Sequence, residues 1–192
     1  SDWSSDVCSS DLSPISWKQF EAVEGKFDFT LLKHQLRVAE KLNLKLVLIW
    51  FGAFKNAKSS YAPAWVRSDL ERFPRALNQP NGEPNENATL SVFSQNLLEA
   101  DLSAFGQVMK FLKSNDKKHT VIMVQIENEM GLLGSSRDYS AAAQAAWNAR
   151  CIPDTWQENE KFMAEAFARY ANTLAKAGKE IRQLPMYVNA WL

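Results

Sequence analysis

Apolar residues recur along the chain with two different periods, and stretches of the two kinds alternate. In residues 30–42 the apolar positions are three or four apart, which predicts one buried face of a helix. These positions are Leu32, Leu36, Ala39 and Leu42. Residues 44–50 (LKLVLIW) are almost continuously apolar, which is typical of a parallel strand covered on both faces.

The same two patterns return downstream. Ser94 is predicted to cap a second helix and Asp154 a third, which is expected to stop at Gly178. Their apolar stripes are Leu98, Leu102, Phe105, Met109 and Leu112, and then Met163, Phe167, Tyr170, Leu174 and Ala177. Residues 120–126 and 184–191 are predicted strands, and residues 14–17 are predicted to end an earlier one.

One long segment, residues 51–93, carries neither period. It contains Pro63, Pro74, Pro80 and Pro84, and residues 65–73 are expected to form at most a turn or two of helix. Loops of this length in a compact domain are usually functional. The segment is therefore a candidate part of a binding site.

Strands that alternate with helices indicate βαβ units and a parallel sheet, either doubly wound or closed into a barrel. No glycine-rich phosphate loop follows any predicted strand, which argues against a dinucleotide-binding fold. The strand ends instead carry aromatic, amide and carboxylate side chains, at Trp50, Asn128, Glu129, Asn189 and Trp191. Barrel enzymes place their chemistry at these ends. The fold class predicted is therefore α/β, a partial (β/α)8 TIM barrel.

Composition limits the partners and cofactors that the protein is expected to bind. The 22 Lys and Arg balance the 22 Asp and Glu, so a nucleic-acid or anionic-membrane partner is not expected. No apolar stretch approaches the ~20 residues of a membrane span. The two cysteines form no ligand cluster, and neither a metal nor another cofactor is indicated.

The ends of the chain suggest a fragment. Residues 1–12 (SDWSSDVCSSDL) have no periodicity and resemble a translated sequencing adapter, so we expect a non-native tail and a domain over residues 13–192. Because the chain stops in or just past a predicted strand, we expect the domain to be an internal piece of a longer protein.

Two carboxylates close the strand predicted over residues 120–126. Glu127 and Glu129 flank Asn128 where a buried charge is costly unless it is paired or used. On a regular strand both glutamates would share one face. A carboxyl group beside apolar groups has a raised pKa, as a general acid requires. The equally open alternative is that both are solvated or paired with Lys or Arg.

Four segments resemble glycoside hydrolase family 35, the β-galactosidases. Residues 121–131 (VIMVQIENEMG) resemble the Gln-x-Glu-Asn-Glu-x-Gly motif of the fourth barrel strand. Residues 16–29 (SWKQFEAVEGKFDF) resemble the segment after the second strand, with Ala22 where Pro is usual. Residues 50–66 and 184–192 resemble a bacterial branch associated with plant cell-wall galactosides, xyloglucan among them.

The resemblance implies a retaining hydrolase that removes terminal non-reducing β-D-galactose, with this chain covering about strands 2 to 5. It assigns Glu129 as the general acid/base and Asn128 as a ligand of the sugar 2-hydroxyl. The nucleophile of the family is a Glu on the seventh strand, which is expected to lie outside this chain. Glu127 is too near Glu129 in sequence to replace it, and the chain alone is expected to be inactive.

Further substrate-binding candidates lie near the strand ends. They are Trp50, Lys55, Asn56, Tyr61, Glu127, Asn189 and Trp191. Trp65 could also stack on a sugar, whereas Glu21 is expected to satisfy loop amides and His34 and His119 to be structural. The expected partner is a β-galactoside oligo- or polysaccharide, and the resemblance suggests a periplasmic or secreted protein.

Three other functions stay open. The chain could belong to a non-catalytic carbohydrate-binding relative or to another retaining β-glycosidase of the same clan. A lyase-like or aldolase-like barrel would use Lys55 to form a Schiff base, but Lys55 lies in a polar loop, with no apolar setting to lower its pKa.

Overall fold

The computed structural model describes residues 10–82 and 89–189. Within them lie the strands β1 (Ser10–Ser16), β2 (Lys45–Lys55), β3 (Val121–Asn128) and β4 (Met186–Tyr187). The helices are α1 (Trp17–Phe20), α2 (Thr30–Lys41), α3 (Ala64–Ser68), α4 (Gln95–Asn115), α5 (Ala141–Asn148) and α6 (Trp156–Ile181). No helix among these residues is long and apolar enough to cross a membrane.

The strands form one parallel sheet in the order β1-β2-β3-β4, which is also their order along the chain. A doubly wound sheet would reverse direction at a switch point. A sheet that adds each new strand on the same side, with helices in the crossovers, is the arrangement that closes into a barrel. The predicted α/β barrel class is confirmed, and all described strands end at the same edge.

Several predicted boundaries agree with the structure. Helix α2 covers nearly the whole periodic segment, and the hydroxyl of Ser94 accepts the N–H of Leu97 at 3.2 Å as the cap of α4. Four of the five stripe residues of α6 are buried, and Ala177 is partly buried. These predictions succeed because periodicity and capping are local properties of the sequence.

Other boundaries were wrong. Thr155, not Asp154, caps α6, and its hydroxyl accepts the N–H of Glu158 at 3.3 Å. Helix α6 continues through Gly178 to Ile181, and helix α5 was not predicted. Of the strand predicted over residues 184–191, only β4 is formed among the described positions, and residues 190–191 lie outside them.

Strand β1 begins inside the segment that resembles an adapter. Ser10, Asp11 and Leu12 pair with Lys45, Leu46 and Val47 of β2. Residues 1–9 lie outside the described part of the chain. The division of the chain at residue 12 stays a prediction, and β1 is three residues longer than that division allows.

Helices α4 and α6 pack against each other through a glycine. A Cβ at Gly178 would stand 2.7 Å from Cε1 of Phe105 and 2.8 Å from Cε of Met186. The helix therefore passes over Phe105 only because residue 178 has no side chain. Close packing of this kind outweighs the low helix propensity of glycine.

We predict opposite effects for two glycine-to-alanine substitutions in this helix pair. Gly178→Ala overpacks the Phe105 ring and should destabilise by about 1–3 kcal/mol, less the ~1 kcal/mol gained in helix propensity. In Gly106→Ala the new Cβ meets only Cδ1 of Ile181, at 3.8 Å, so this control should be stabilising. Thermal unfolding of the complete catalytic domain checks both, and equal Tm shifts would contradict the packing argument.

Candidate active site

The pairing of β2 with β3 is interrupted near the carboxyl ends of both strands. Trp50 is opposite Ile126 and Lys55 is opposite Asn128, so four residues of β2 face the single residue Glu127. Such a bulge leaves backbone groups of the longer strand without ladder partners. Here the N–H groups of Ala53 and Phe54 donate to the Glu127 carboxyl group at 3.1 and 2.8 Å.

A tight turn follows the bulge and brings β2 to the end of β3. Lys55 and Lys58 exchange two backbone hydrogen bonds, and both Asn56 and Ala57 have positive φ (53° and 52°), as in a type I′ turn. The N–H of Asn56 donates to the carbonyl of Asn128 at 3.0 Å, and that of Ala57 donates to the carbonyl of Glu129 at 2.9 Å. The turn therefore holds Asn56 beside Asn128.

Four amide side chains form a connected cluster at this edge. Oδ1 of Asn128 accepts from Nε2 of Gln125 at 3.0 Å and from Nδ2 of Asn189 at 3.1 Å. Nδ2 of Asn128 donates to Oδ1 of Asn56 at 3.0 Å. Two donors on one side and an acceptor on the other fix which way the Asn128 amide faces. Its N–H group is directed away from the sheet interior, toward the turn.

Gln125 is the residue that sequence reasoning missed. It is buried, and its Nε2 also lies 2.8 Å from the carbonyl oxygen of Glu127 and 3.2 Å from Oδ1 of Asn189. A buried amide inside an apolar strand must find partners, so its place in TVIMVQI was a usable signal.

Glu129 follows β3 directly and is only partly buried. Its φ of 49° is left-handed, and its backbone N–H donates to Oδ1 of Asn189 at 2.9 Å. Within residues 10–82 and 89–189, no side chain hydrogen-bonds its carboxylate. Hydrogen bonds therefore fix the backbone of Glu129, while its carboxylate is accessible to solvent.

Lys55 and Tyr61 extend the cluster along the loop after β2. Nζ of Lys55 donates to Oδ1 of Asn56 at 3.0 Å and lies 5.1 Å and 5.3 Å from the ring centroids of Phe51 and Tyr61. Tyr61 is partly buried against Phe51. The structure therefore brings together Lys55, Asn56, Tyr61, Asn128, Glu129 and Asn189 from the predicted set.

Two predicted ligands are not available to a substrate. Trp50 is 2% exposed and its Nε1 donates to Asp101 of α4 at 2.8 Å, so it packs under the helices and cannot stack on a sugar. Glu127 is 0% exposed. Its left-handed φ of 57° breaks the strand alternation and turns its carboxyl group toward the β2 bulge, so it does not share a face with Glu129. Trp191 lies outside the described residues.

The remaining candidates have structural partners. Nε1 of Trp65 donates to the carbonyl of Glu21 at 3.0 Å. The Glu21 carboxylate accepts from Nε1 of Trp17 and from the N–H of Gly25, as a residue that satisfies loop amides would, and burial raises its pKa. Among the described residues, no group of three or more His, Cys, Asp or Glu side chains is arranged to hold a metal ion.

Comparison with known families gives a match over most of the chain. The model of glycoside hydrolase family 42, described as beta-galactosidase, matches residues 4–177. The chain was expected to resemble family 35: the assignment to the β-galactosidases is confirmed, whereas the match is to family 42. No curated protein matches the chain significantly.

Solved structures agree on the fold. The β-galactosidase from Bacillus circulans sp. alkalophilus superposes with a TM-score of 0.67 at 15% identity, over 94% of this chain and 32% of that one. The enzyme from the haloarchaeon Halorubrum lacusprofundi gives 0.68 at 15%, over 93% and 32%. That from Marinomonas ef1 gives 0.67 at 11%, over 93% and 32%. The chain thus spans about a third of each of these structures.

We predict that one negative charge introduced into the amide cluster lowers the stability of the protein strongly. Gln125→Glu replaces a double donor by an acceptor that faces the oxygens of Glu127, Asn128 and Asn189, and should cost about 1–3 kcal/mol of stability or more. Gln183→Glu, at an exposed position, should change stability by less than about 0.5 kcal/mol. Thermal unfolding of both variants of the complete domain measures this, and a Gln125→Glu protein as stable as its control would show that the cluster is mis-assigned.

Proposed function

The chain belongs to glycoside hydrolase family 42, the β-galactosidases, and from that premise we propose that it supplies the acid/base half of a retaining galactosidase site. Glu129 is the proposed general acid/base, and Asn128 is the proposed ligand of the sugar 2-hydroxyl. The observation that carries the proposal is the pairing of an accessible carboxylate with an oriented amide at the carboxyl end of β3.

The proposed first step is protonation of the glycosidic oxygen by Glu129 as the aglycone leaves. Because only its backbone is fixed, the carboxyl group of Glu129 is free to meet an incoming oxygen. In the second step the carboxylate of Glu129 accepts a proton from the water that releases the sugar.

The amide cluster supports the role of Asn128. Gln125 and Asn189 occupy its Oδ1, so its Nδ2 is the group left to donate to a hydroxyl. In the structure Nδ2 donates to Oδ1 of Asn56. We expect Nδ2 to donate to the sugar hydroxyl instead when substrate binds. A contact to the 2-hydroxyl strengthens as the ring approaches the oxocarbenium-like transition state. Lys55, Asn56 and Tyr61 are proposed to contact the remaining hydroxyls and the sugar face.

The second carboxylate is proposed to lie outside this chain. A retaining site needs two carboxyl groups about 5–5.5 Å apart, and Glu127 is buried beneath the helices rather than facing Glu129. The chain on its own is therefore expected to leave aryl galactosides intact. Retaining hydrolysis by the purified 192-residue chain would contradict this.

A narrower proposal concerns the substrate. The resemblance of residues 50–66 and 184–192 to the family 35 branch supports galactosyl side chains of plant cell-wall polysaccharides. A complete enzyme should then have a higher kcat/KM on galactosylated xyloglucan oligosaccharides than on lactose. Equal or reversed values would remove the support that these segments give.

Replacement of Glu129 tests the acid/base assignment in the complete catalytic domain. Glu129→Ala should slow substrates with poor leaving groups by about 10²–10⁴-fold, the usual contribution of general acid catalysis. Activated aryl galactosides need little protonation, so their first step should be far less affected. Azide should restore turnover and give β-galactosyl azide, because the small anion fits where the carboxylate was.

Two comparisons complete this experiment. Glu180→Ala, at an exposed position of α6, should leave both substrates unaffected. If Glu127→Ala gives the leaving-group dependence and azide rescue while Glu129→Ala does not, the assignment is wrong.

A further inference from the structure

The Glu127 carboxyl group meets a second buried acid behind the site. Asp101 of α4 is 0% exposed, and the N–H of Ala53 lies 3.1 Å from Oε1 of Glu127 and 3.3 Å from Oδ2 of Asp101, which brings the two carboxyl groups together. A hydrogen bond between two carboxyl groups needs a proton on one of them, since a carboxylate has only acceptors. Two buried carboxylates on one shared donor would also repel each other, so the geometry favours one proton and one negative charge on the pair.

The surrounding donors show which acid keeps the charge. Asp101 accepts from Nε1 of Trp50 at 2.8 Å, from the hydroxyl of Tyr170 at 2.9 Å and from the N–H of Ala53 at 3.3 Å. A proton on Glu127 would supply a fourth donor and satisfy the Asp101 carboxylate fully. No Lys or Arg among the described residues forms an ion pair with either acid.

Strand β2 has a glycine where the pair needs space. A Cβ at Gly52 would stand 2.5 Å from Oε1 of Glu127 and 2.9 Å from Oδ1 of Asp101. Nε1 of Trp50, which donates to Asp101, also lies within van der Waals distance of such a Cβ, so these three polar groups together fill the volume that a side chain would occupy. Gly52 thus allows both acids and the Trp50 indole to approach β2 closely.

We propose that Asp101 and Glu127 share one proton, carried by Glu127, and that this pair is a positioning device for the active site. It holds the N–H groups of the β2 bulge, which lead directly into the turn at Asn56. That turn is bonded to the backbone of Asn128 and Glu129. Glu127 and Asp101 touch no substrate. The shared proton does not depend on the proposed function, whereas the positioning role rests on it.

The pH dependence of stability follows from the same arrangement. Burial and the charge of Asp101 raise the pKa of Glu127, and burial raises that of Asp101. Tyr170 on α6 is the other titratable group in contact, and Glu21 adds a nearby charge. Above the pKa of an unfolded Glu, about 4.3, the folded state binds more protons than the unfolded state, so stability falls as pH rises through the window up to the folded pKa.

Two isosteric variants of the complete catalytic domain separate the roles of the acids. In Glu127→Gln the amide oxygen accepts the N–H of Phe54 and the amide N–H donates to Asp101, while the N–H of Ala53 keeps only its 3.3 Å bond to Asp101, so Tm and kcat/KM should fall less than in Asp101→Asn. In Asp101→Asn the amide NH2 faces either the donor of Trp50 or those of Tyr170 and Ala53, so Tm should fall clearly. The site should loosen, with a loss in kcat/KM of about 10²-fold, the effect of a small displacement of catalytic groups.

Infrared and pH measurements test the proton without any activity assay. The carbonyl band of a protonated carboxylic acid should be present in the wild-type spectrum at neutral pH and missing in the spectrum of Glu127→Gln. The fall in Tm between about pH 5 and pH 8 should be smaller in Glu127→Gln than in wild type.

The outcomes distinguish this inference from the proposed function. An unchanged acid band in Glu127→Gln, or equal tolerance of Glu127→Gln and Asp101→Asn, overturns the shared proton. If the band and Tm behave as expected while Asp101→Asn keeps full kcat/KM, the positioning role is wrong. If Glu129→Ala lacks its leaving-group dependence while the band and Tm results hold, the proposed function fails and the shared proton stands.

Discussion

The buried carboxyl group of Glu127 replaces a missing stretch of β-ladder, and the carboxyl ends of β2 and β3 depend on that replacement. Four residues of β2 oppose it, and an unpaired backbone N–H in a dry interior costs free energy comparable to a lost hydrogen bond. The two N–H groups of Ala53 and Phe54 donate to its two oxygens. An apolar side chain at residue 127 would leave the N–H of Phe54 unsatisfied and would leave that of Ala53 with only its 3.3 Å bond to Asp101.

The site is built on backbone that is locally unfavourable. Asn56, Ala57, Glu127 and Glu129 all have φ near +50°, which costs an L-residue with a Cβ roughly 1–2 kcal/mol. The hydrogen bonds between the turn and the end of β3 offset this cost. The left-handed backbone orients the side chains of the site. It turns Glu127 under the helices, leaves Glu129 partly exposed and brings the amide of Asn56 to that of Asn128.

The helix layer connects the core to this edge of the sheet. Asp101 and Tyr170 are polar positions in otherwise apolar stripes of α4 and α6, and both reach the group behind the bulge. Gly178 allows the two helices to approach over Phe105, one turn from Asp101 along α4. Trp50 packs between Phe20 and Phe105 and donates to the same carboxylate. The packing of the helices and the geometry of the strand ends therefore depend on each other.

The sequence by itself determined the alternation of strands and helices, the cap of α4, the buried faces of the helices, and the concentration of amides and carboxylates at strand ends. Those features depend on residues a few positions apart, so periodicity reports them. It did not determine the side to which Trp50 and Glu127 turn, nor the role of Gln125. An apolar run does not say which of two covered faces a residue occupies, and a left-handed residue that breaks the alternation is held by partners tens of positions away. Only tertiary structure, which brings Asp101, Asn189 and the turn at Asn56 to β3, could decide these.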